Sequence, residues 1–262
     1  MNISKPRFNL VELAIFLSAV AVFAFVFGKT RTESRLAPFL THGAGELAPL
    51  ATQYGPGRHS EHGEEWVIRD FFADGRDGVF VDVGANDYKR FSNTYYLETE
   101  LGWSGIALEP QAKFSSDYAK HRPRTRFVPL FVSDTSNSEA VLHVPRNNDL
   151  IASSSATFVK EEGGDDLVPL RTNTTTLDDV LERSGVSQID FLSIDVELHE
   201  PQVLRGFSIA RYRPRLVCVE SHPEVRQQIL DYFTSNGYVV LGKYLRADSD
   251  NLWFAESKRP HP

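Results

Sequence analysis

Short apolar runs alternate with amphipathic stretches from Val79 to Ala255, and this alternation restricts the chain to a sheet covered by helices. The runs predict strands over residues 79–83, 105–108, 126–132, 189–194 and 216–219. Between them lie helical patterns over 93–101, 111–120, 176–183, 201–206 and 224–235, the last closed by Asn236-Gly237. A first helix is expected over 60–72, with Ser60 as its N-cap and acids in its first turn. Residues 140–144 read as an extra strand, and 147–172, polar and Ser-rich with Gly163 and Gly164, as a mobile loop or an excursion. The final strands, 238–245 and 252–255, meet as an antiparallel hairpin at one edge. The sum is a doubly wound α/β fold with a mostly parallel sheet covered on both faces.

A chain of 262 residues can bury a sizeable core without a disulfide or metal staple. Its net charge of −7 argues against a phosphate-neutralising surface, so no nucleic-acid partner is expected. The single cysteine, Cys218, excludes an internal disulfide and any cysteine-based zinc site; it sits in an apolar strand and reads as core.

The N-terminus differs from the rest. Residues 13–27, LAIFLSAVAVFAFVF, carry no charge and are apolar on every face. They are taken as the centre of a single membrane-spanning helix over 10–27, near the lower length limit for one. Lys5 and Arg7 precede it; Lys29, Arg31 and Arg35 follow, a near tie. The catalytic side is therefore placed in the cytosol on cofactor supply rather than on charge. The expected organisation is a tail (1–9), the anchor (10–27), a Gly- and Pro-bearing linker (28–58), one domain (59–256) and a tail (257–262).

In such sheets ligands bind beyond the carboxyl ends of the strands. Four places there bear chemistry-capable residues: Asp82-Val83-Gly84-Ala85-Asn86, Glu109-Pro110, Ser133-Asp134 and Asp195-Val196-Glu197. A dinucleotide turn would read G-x-G-x-x-G, but the spacing from Gly84 gives Asn86 and Lys89. That weakens a nicotinamide oxidoreductase. An acid beside the turn suits an ammonium or hydroxyl better than a phosphate, and Glu109 stands where an acid would grip a ribose diol. S-adenosylmethionine fits those demands, with Asp82, Gly84, Ala85, Asn86, Glu109, Ser133 and Asp134 as candidate contacts.

The segment GVFVDVGANDYKRFSNTYYLETELGWSGIALEP resembles the FkbM family of class I S-adenosylmethionine-dependent methyltransferases, as does TTTLDDVLERSGVSQIDFLSIDVELHEPQVLRG. The resemblance implies a Rossmann-like seven-stranded sheet and methyl transfer, usually to a hydroxyl of a sugar, glycan or secondary metabolite. Two positions depart from it. Tyr88 and Leu198 stand where the family commonly has glycine, and a bulky residue does not readily take φ > 0. They motivate an alternative, a catalytically silent membrane-bound scaffold or binding module.

Oxygen methylation requires a base beside the acceptor. Asp195, Glu197 and His222 are the candidates, with His199 behind them. Mg²⁺ is a possible cofactor, held by Asp195 and Glu220 with Glu197 and His222 as further ligands. Arg122, Arg124 and Arg126 read as a solvated loop.

Overall fold

The computed structural model describes residues 47–257 except 56, 149, 246, 247 and 249. The expected anchor over 10–27 lies outside the described residues. Among the described residues, no helix is long and apolar enough to cross a membrane.

Seven strands form the main sheet: β1 (Val79–Val83), β2 (Ser104–Leu108), β3 (Thr125–Val128), β7 (Phe191–Ile194), β8 (Leu216–Glu220), β9 (Tyr238–Val240) and β10 (Asn251–Glu256). Their order is β3-β2-β1-β7-β8-β10-β9. Neighbours pair in parallel except β10, which runs antiparallel to both β8 and β9. The anticipated Rossmann-like sheet is present. The final hairpin is there too, but its second strand lies inside the sheet and its first, β9, forms the edge.

The strands are apolar because both faces are covered. Phe80, Phe191, Leu216, Cys218 and Trp253 share one buried cluster with Trp66, Val67 and Ile68 of the Glu64–Phe72 helix. Each such side chain contributes about 1.5–3 kcal/mol by leaving water. That helix begins at Glu64 rather than at Ser60: Gly63 holds the N-cap position, and the Ser60 hydroxyl accepts from the Glu65 N–H at 3.1 Å. The 28–58 stretch is not linker throughout. Its Leu47–Tyr54 segment is helical and seats Leu50 in the same cluster.

Two further expectations change. The 126–132 run is two strands, not one. β3 stops at Val128, and β4 (Phe131–Val132) joins a second sheet with β5 (Glu139–Pro145) and β6 (Leu167–Thr175), in the order β4-β6-β5. Residues 147–172 are therefore not simply loop: they hold the Ala156–Gly163 helix and most of β6. Ser155 caps that helix by accepting from the Phe158 N–H. This insertion leaves the main sheet after β3 and returns before β7, at the end where the parallel strands finish.

Arg122 is not in a solvated loop either. It is 1% exposed, ion-paired with Glu98 and donating to the Thr94 and Tyr88 carbonyls. Arg124 and Arg126 are on the surface.

Candidate functional site

A cleft of about 590 Å³ opens over the carboxyl ends of β1, β2, β7 and β8, within the ~300–1,000 Å³ range of small-molecule sites. Its first wall is the turn after β1. Gly84 has φ +86°, and a Cβ there would lie 1.7 Å from the Asp195 carbonyl oxygen. The close approach that demands glycine is thus to the end of β7. The N–H groups of Gly84 and Ala85 both donate to the Leu108 carbonyl, at 2.9 and 3.1 Å. Asn86 follows with φ +44° and donates its N–H to Glu109 Oε2 at 3.2 Å. The other Glu109 oxygen accepts from the Gln111 N–H at 2.8 Å. Glu109 therefore fastens the first turn to the second, and the Gln111 side chain also bonds to it. Burial pushes its carboxyl up to about 7, against the pull of those backbone bonds.

Asp82 is buried on β1 and accepts from the Thr94 hydroxyl at 2.8 Å. Burial raises it to about 6, moderated by Thr94 and by the Arg122 charge. Asn93 reaches across to Ser193 Oγ on β7 at 3.1 Å. The Ser92-Asn93-Thr94 segment thus ties its helix to the two central strands.

The second wall is acidic. Asp195 closes β7 as an exposed residue and opens its carboxylate into the cleft. The protein packed around that carboxylate and then the charges of Glu220, Glu197 and Glu200 raise its pKa above the ordinary carboxylate range. Glu197 and Leu198 both take left-handed backbone, with φ +55° and +74°. Leu198 thus holds a glycine-like conformation at a cost of ~1–2 kcal/mol. Tyr88 is not among the positive-φ residues and stacks on His121 at 4.7 Å. The Ser153 hydroxyl of the insertion donates to the Glu197 carbonyl at 2.5 Å.

His222 Nε2 lies 3.1 Å from Glu220 Oε1 and 3.6 Å from Glu197 Oε2. The neighbouring carboxylates of Glu197 and Glu220 raise its pKa to about 10, so at neutral pH the ring holds a proton that it gives up only to a stronger competitor for the nitrogen, such as a metal ion. Glu197, Glu220 and His222 converge; Asp195, expected as a metal ligand, is not part of that trio.

Three other candidates sit elsewhere. His199 is buried between the hydroxyls of Ser133 (3.1 Å) and Ser154 (3.3 Å), and burial lowers its pKa to about 4. It holds the insertion against the main sheet. Ser133 and Asp134 do not line the cleft. Asp134 instead pairs with Arg205 at 3.1 Å.

Sequence reasoning missed the insertion's share of the site. Leu142, Ile151, Phe158 and Glu162 line the cleft, and Phe158 meets His222 edge-on with ring centres 5.1 Å apart. Their polar, Ser-rich surroundings gave no periodic signal. Arg226, which also lines the cleft, was missed as an ordinary helix residue.

No curated protein matches the chain. Among solved structures, it is similar to an S-adenosylmethionine-dependent O-methyltransferase from Thermotoga maritima, with 9% identity and TM-score 0.41, over 81% of this chain and 72% of that one. It is also similar to a precorrin-6y C5,15-methyltransferase from Geobacter metallireducens (10% identity, TM-score 0.39, 67% and 71% covered). A third is the Burkholderia thailandensis 1,6-didemethyltoxoflavin-N1-methyltransferase with bound S-adenosylhomocysteine (11% identity, TM-score 0.38, 97% and 94% covered). Residues 82–240, more than half of the chain, match the Methyltransferase FkbM domain. That span runs from Asp82 through the acids that close β2, β7 and β8, and the chain belongs to the FkbM family of S-adenosylmethionine-dependent methyltransferases.

Proposed function

We propose that this enzyme transfers the methyl group to a hydroxyl oxygen of a sugar, glycan or hydroxylated metabolite. The observation that carries this reading is the gathering of Asp195, Glu197 and Glu220 in the same cleft as Glu109 and the Gly84 turn. Carboxylates gathered in a cleft favour a cationic guest, which suits the sulfonium and ammonium of the methyl donor. Glu109, which lines the cleft, suits the ribose diol, and Asp82, Ala85 and Asn86 shape the floor beneath it. The donor supplies an activated methyl group. The chain's part is to hold the acceptor hydroxyl in line with it and to take the hydroxyl proton. Asp195 is the proposed proton acceptor, because its raised pKa places it nearer to a hydroxyl's demands than an ordinary carboxylate. Glu197 and His222 are proposed to orient the acceptor. The 10–27 run is proposed to tether the enzyme to a membrane, with this domain on the cytosolic side. Neither Tyr88 nor Leu198 favours the silent-scaffold alternative, since the chain accommodates both.

Titration with S-adenosylhomocysteine tests the donor site. Glu109→Ala should lose at least one hydrogen bond to a charged acceptor, about 1.5–3 kcal/mol, or roughly 10- to 150-fold in affinity. Unchanged affinity would remove Glu109 from the site. Labelled methyl transfer to carbohydrate and lipid extracts tests the acceptor class; product on nitrogen rather than oxygen would overturn the hydroxyl assignment. Carbonate-resistant membrane association of the full-length protein tests the tether, and recovery in the supernatant would refute it.

A further inference from the structure

Three donor atoms from three places in the chain meet in the cleft: a carboxylate oxygen of Glu197 after β7, one of Glu220 at the end of β8, and a ring nitrogen of His222 two residues later. All lie within 4.8 Å of one another, and the closest pair, His222 Nε2 and Glu220 Oε1, is 3.1 Å apart. Neighbouring ligands of an ion bound at about 2.1 Å stand about 3 Å apart, so the trio needs little adjustment to close on one.

A second observation is independent of that spacing. Glu220 Oε2 is buried and accepts no hydrogen bond. The same holds for Oε2 of Glu200, a fully buried residue (0% exposed) whose charge and that of Glu220 act on each other. Arg226, a cation lining the same cleft, spends Nε and Nη2 on Ser221. Asp195 adds another carboxylate. A buried carboxylate oxygen without a donor is costly, and a cation beside it removes that cost.

We propose that Glu197, Glu220 and His222 form a divalent-cation site. Two carboxylate oxygens with one imidazole nitrogen suit a first-row transition ion such as Mn²⁺ better than Mg²⁺, which prefers an all-oxygen shell. The left-handed backbone at Glu197 and Leu198, together with the Ser153 bond to the Glu197 carbonyl, fixes the loop from which the first ligand projects. Positions not taken by protein are left to water or to the acceptor hydroxyl. The role in methyl transfer rests on the proposed function; the existence of the site does not.

The test is titration of the full-length protein in detergent with MnCl₂, following the loss of the free-ion electron paramagnetic resonance signal. One ion per chain is expected. Glu197→Gln and Glu220→Gln should each weaken binding about 10-fold or more, with folding checked by circular dichroism. If either fails to fold, His222→Gln takes its place. No binding by the parent, or equal binding by the folded variants, overturns the site. S-adenosylhomocysteine titrated into the same samples separates the two readings: ion binding without nucleoside binding would sink the donor site alone.

Discussion

At Gly84 the Asp195 carbonyl leaves no room for a side chain, and the turn needs φ +86°. Gly84→Ala is therefore expected to destabilise the domain by about 3–5 kcal/mol, the upper range of single substitutions, as read by chemical denaturation. A loss under 1 kcal/mol would mean that the turn and the end of β7 move apart freely. Arg122 makes a comparable case. Its guanidinium neutralises the buried Glu98, and Arg122→Met should cost about 3–5 kcal/mol by stranding that carboxylate. Pairing it with Glu98→Gln in the same chain should recover much of the loss. Asp195→Asn should keep the melting temperature within a few degrees and lower turnover by ~10²–10⁴. Unchanged turnover would shift the proton-accepting role to Glu220. The acids at the strand ends were legible because each follows an apolar run, and a run that ends in a carboxylate is conspicuous. Arg122 was not, because one Arg among three in a short basic stretch looks the same whether its partner is water or a glutamate 24 residues earlier.

The insertion between β3 and β7 carries the element-scale argument. The sequence reading caught its strand over 140–144, which is β5, and missed the rest for physical reasons. β5 and β6 expose much of their surface, so their alternation is diluted by polar residues, and Pro169 interrupts β6. Proline is tolerated there because β4 pairs only with Thr174 and Thr175, leaving that side of β6 open at residue 169. The main sheet was legible because strands buried on both faces are apolar throughout. Phe158 stands on the inserted helix against His222, over the acidic half of the cleft. Phe158→Ala is expected to raise the acceptor KM several-fold while leaving S-adenosylhomocysteine affinity within 2-fold. Loss of both would place the helix over the donor instead. Ser155→Ala, which removes the cap of that helix, should cost ~1 kcal/mol of local stability. Faster hydrogen exchange confined to residues 156–163 is the expected readout.

For the whole molecule the buried acids set a pH dependence. Burial places Asp82 at about 6, Glu109 at about 7 and Glu200 at about 8, against ordinary values of 3.8 for Asp and 4.5 for Glu. The folded chain keeps these protons where the unfolded chain has lost them. The stability they contribute is complete below about pH 4 and drains away as pH rises through 6 to 8. His222, raised to about 10, acts in the same direction above pH 6.5. His199, lowered to about 4, acts oppositely but only between pH 4 and 6.5. The ligand-free protein should therefore melt higher at pH 6 than at pH 8.5 in calorimetry, and bound S-adenosylmethionine should narrow the gap. A higher melting temperature at pH 8.5 would contradict the burial of these acids. The position of β10 has a consequence in time. It is the last strand in chain order, yet it lies between β8 and β9. During synthesis the outer edge of β8 is without its neighbour, and β9 has no sheet to join, until the ribosome has passed residue 256. The nascent chain carries that open, apolar strand edge while residues 221–256 are made, which makes it a client for chaperones and prone to mispairing with copies on the same message.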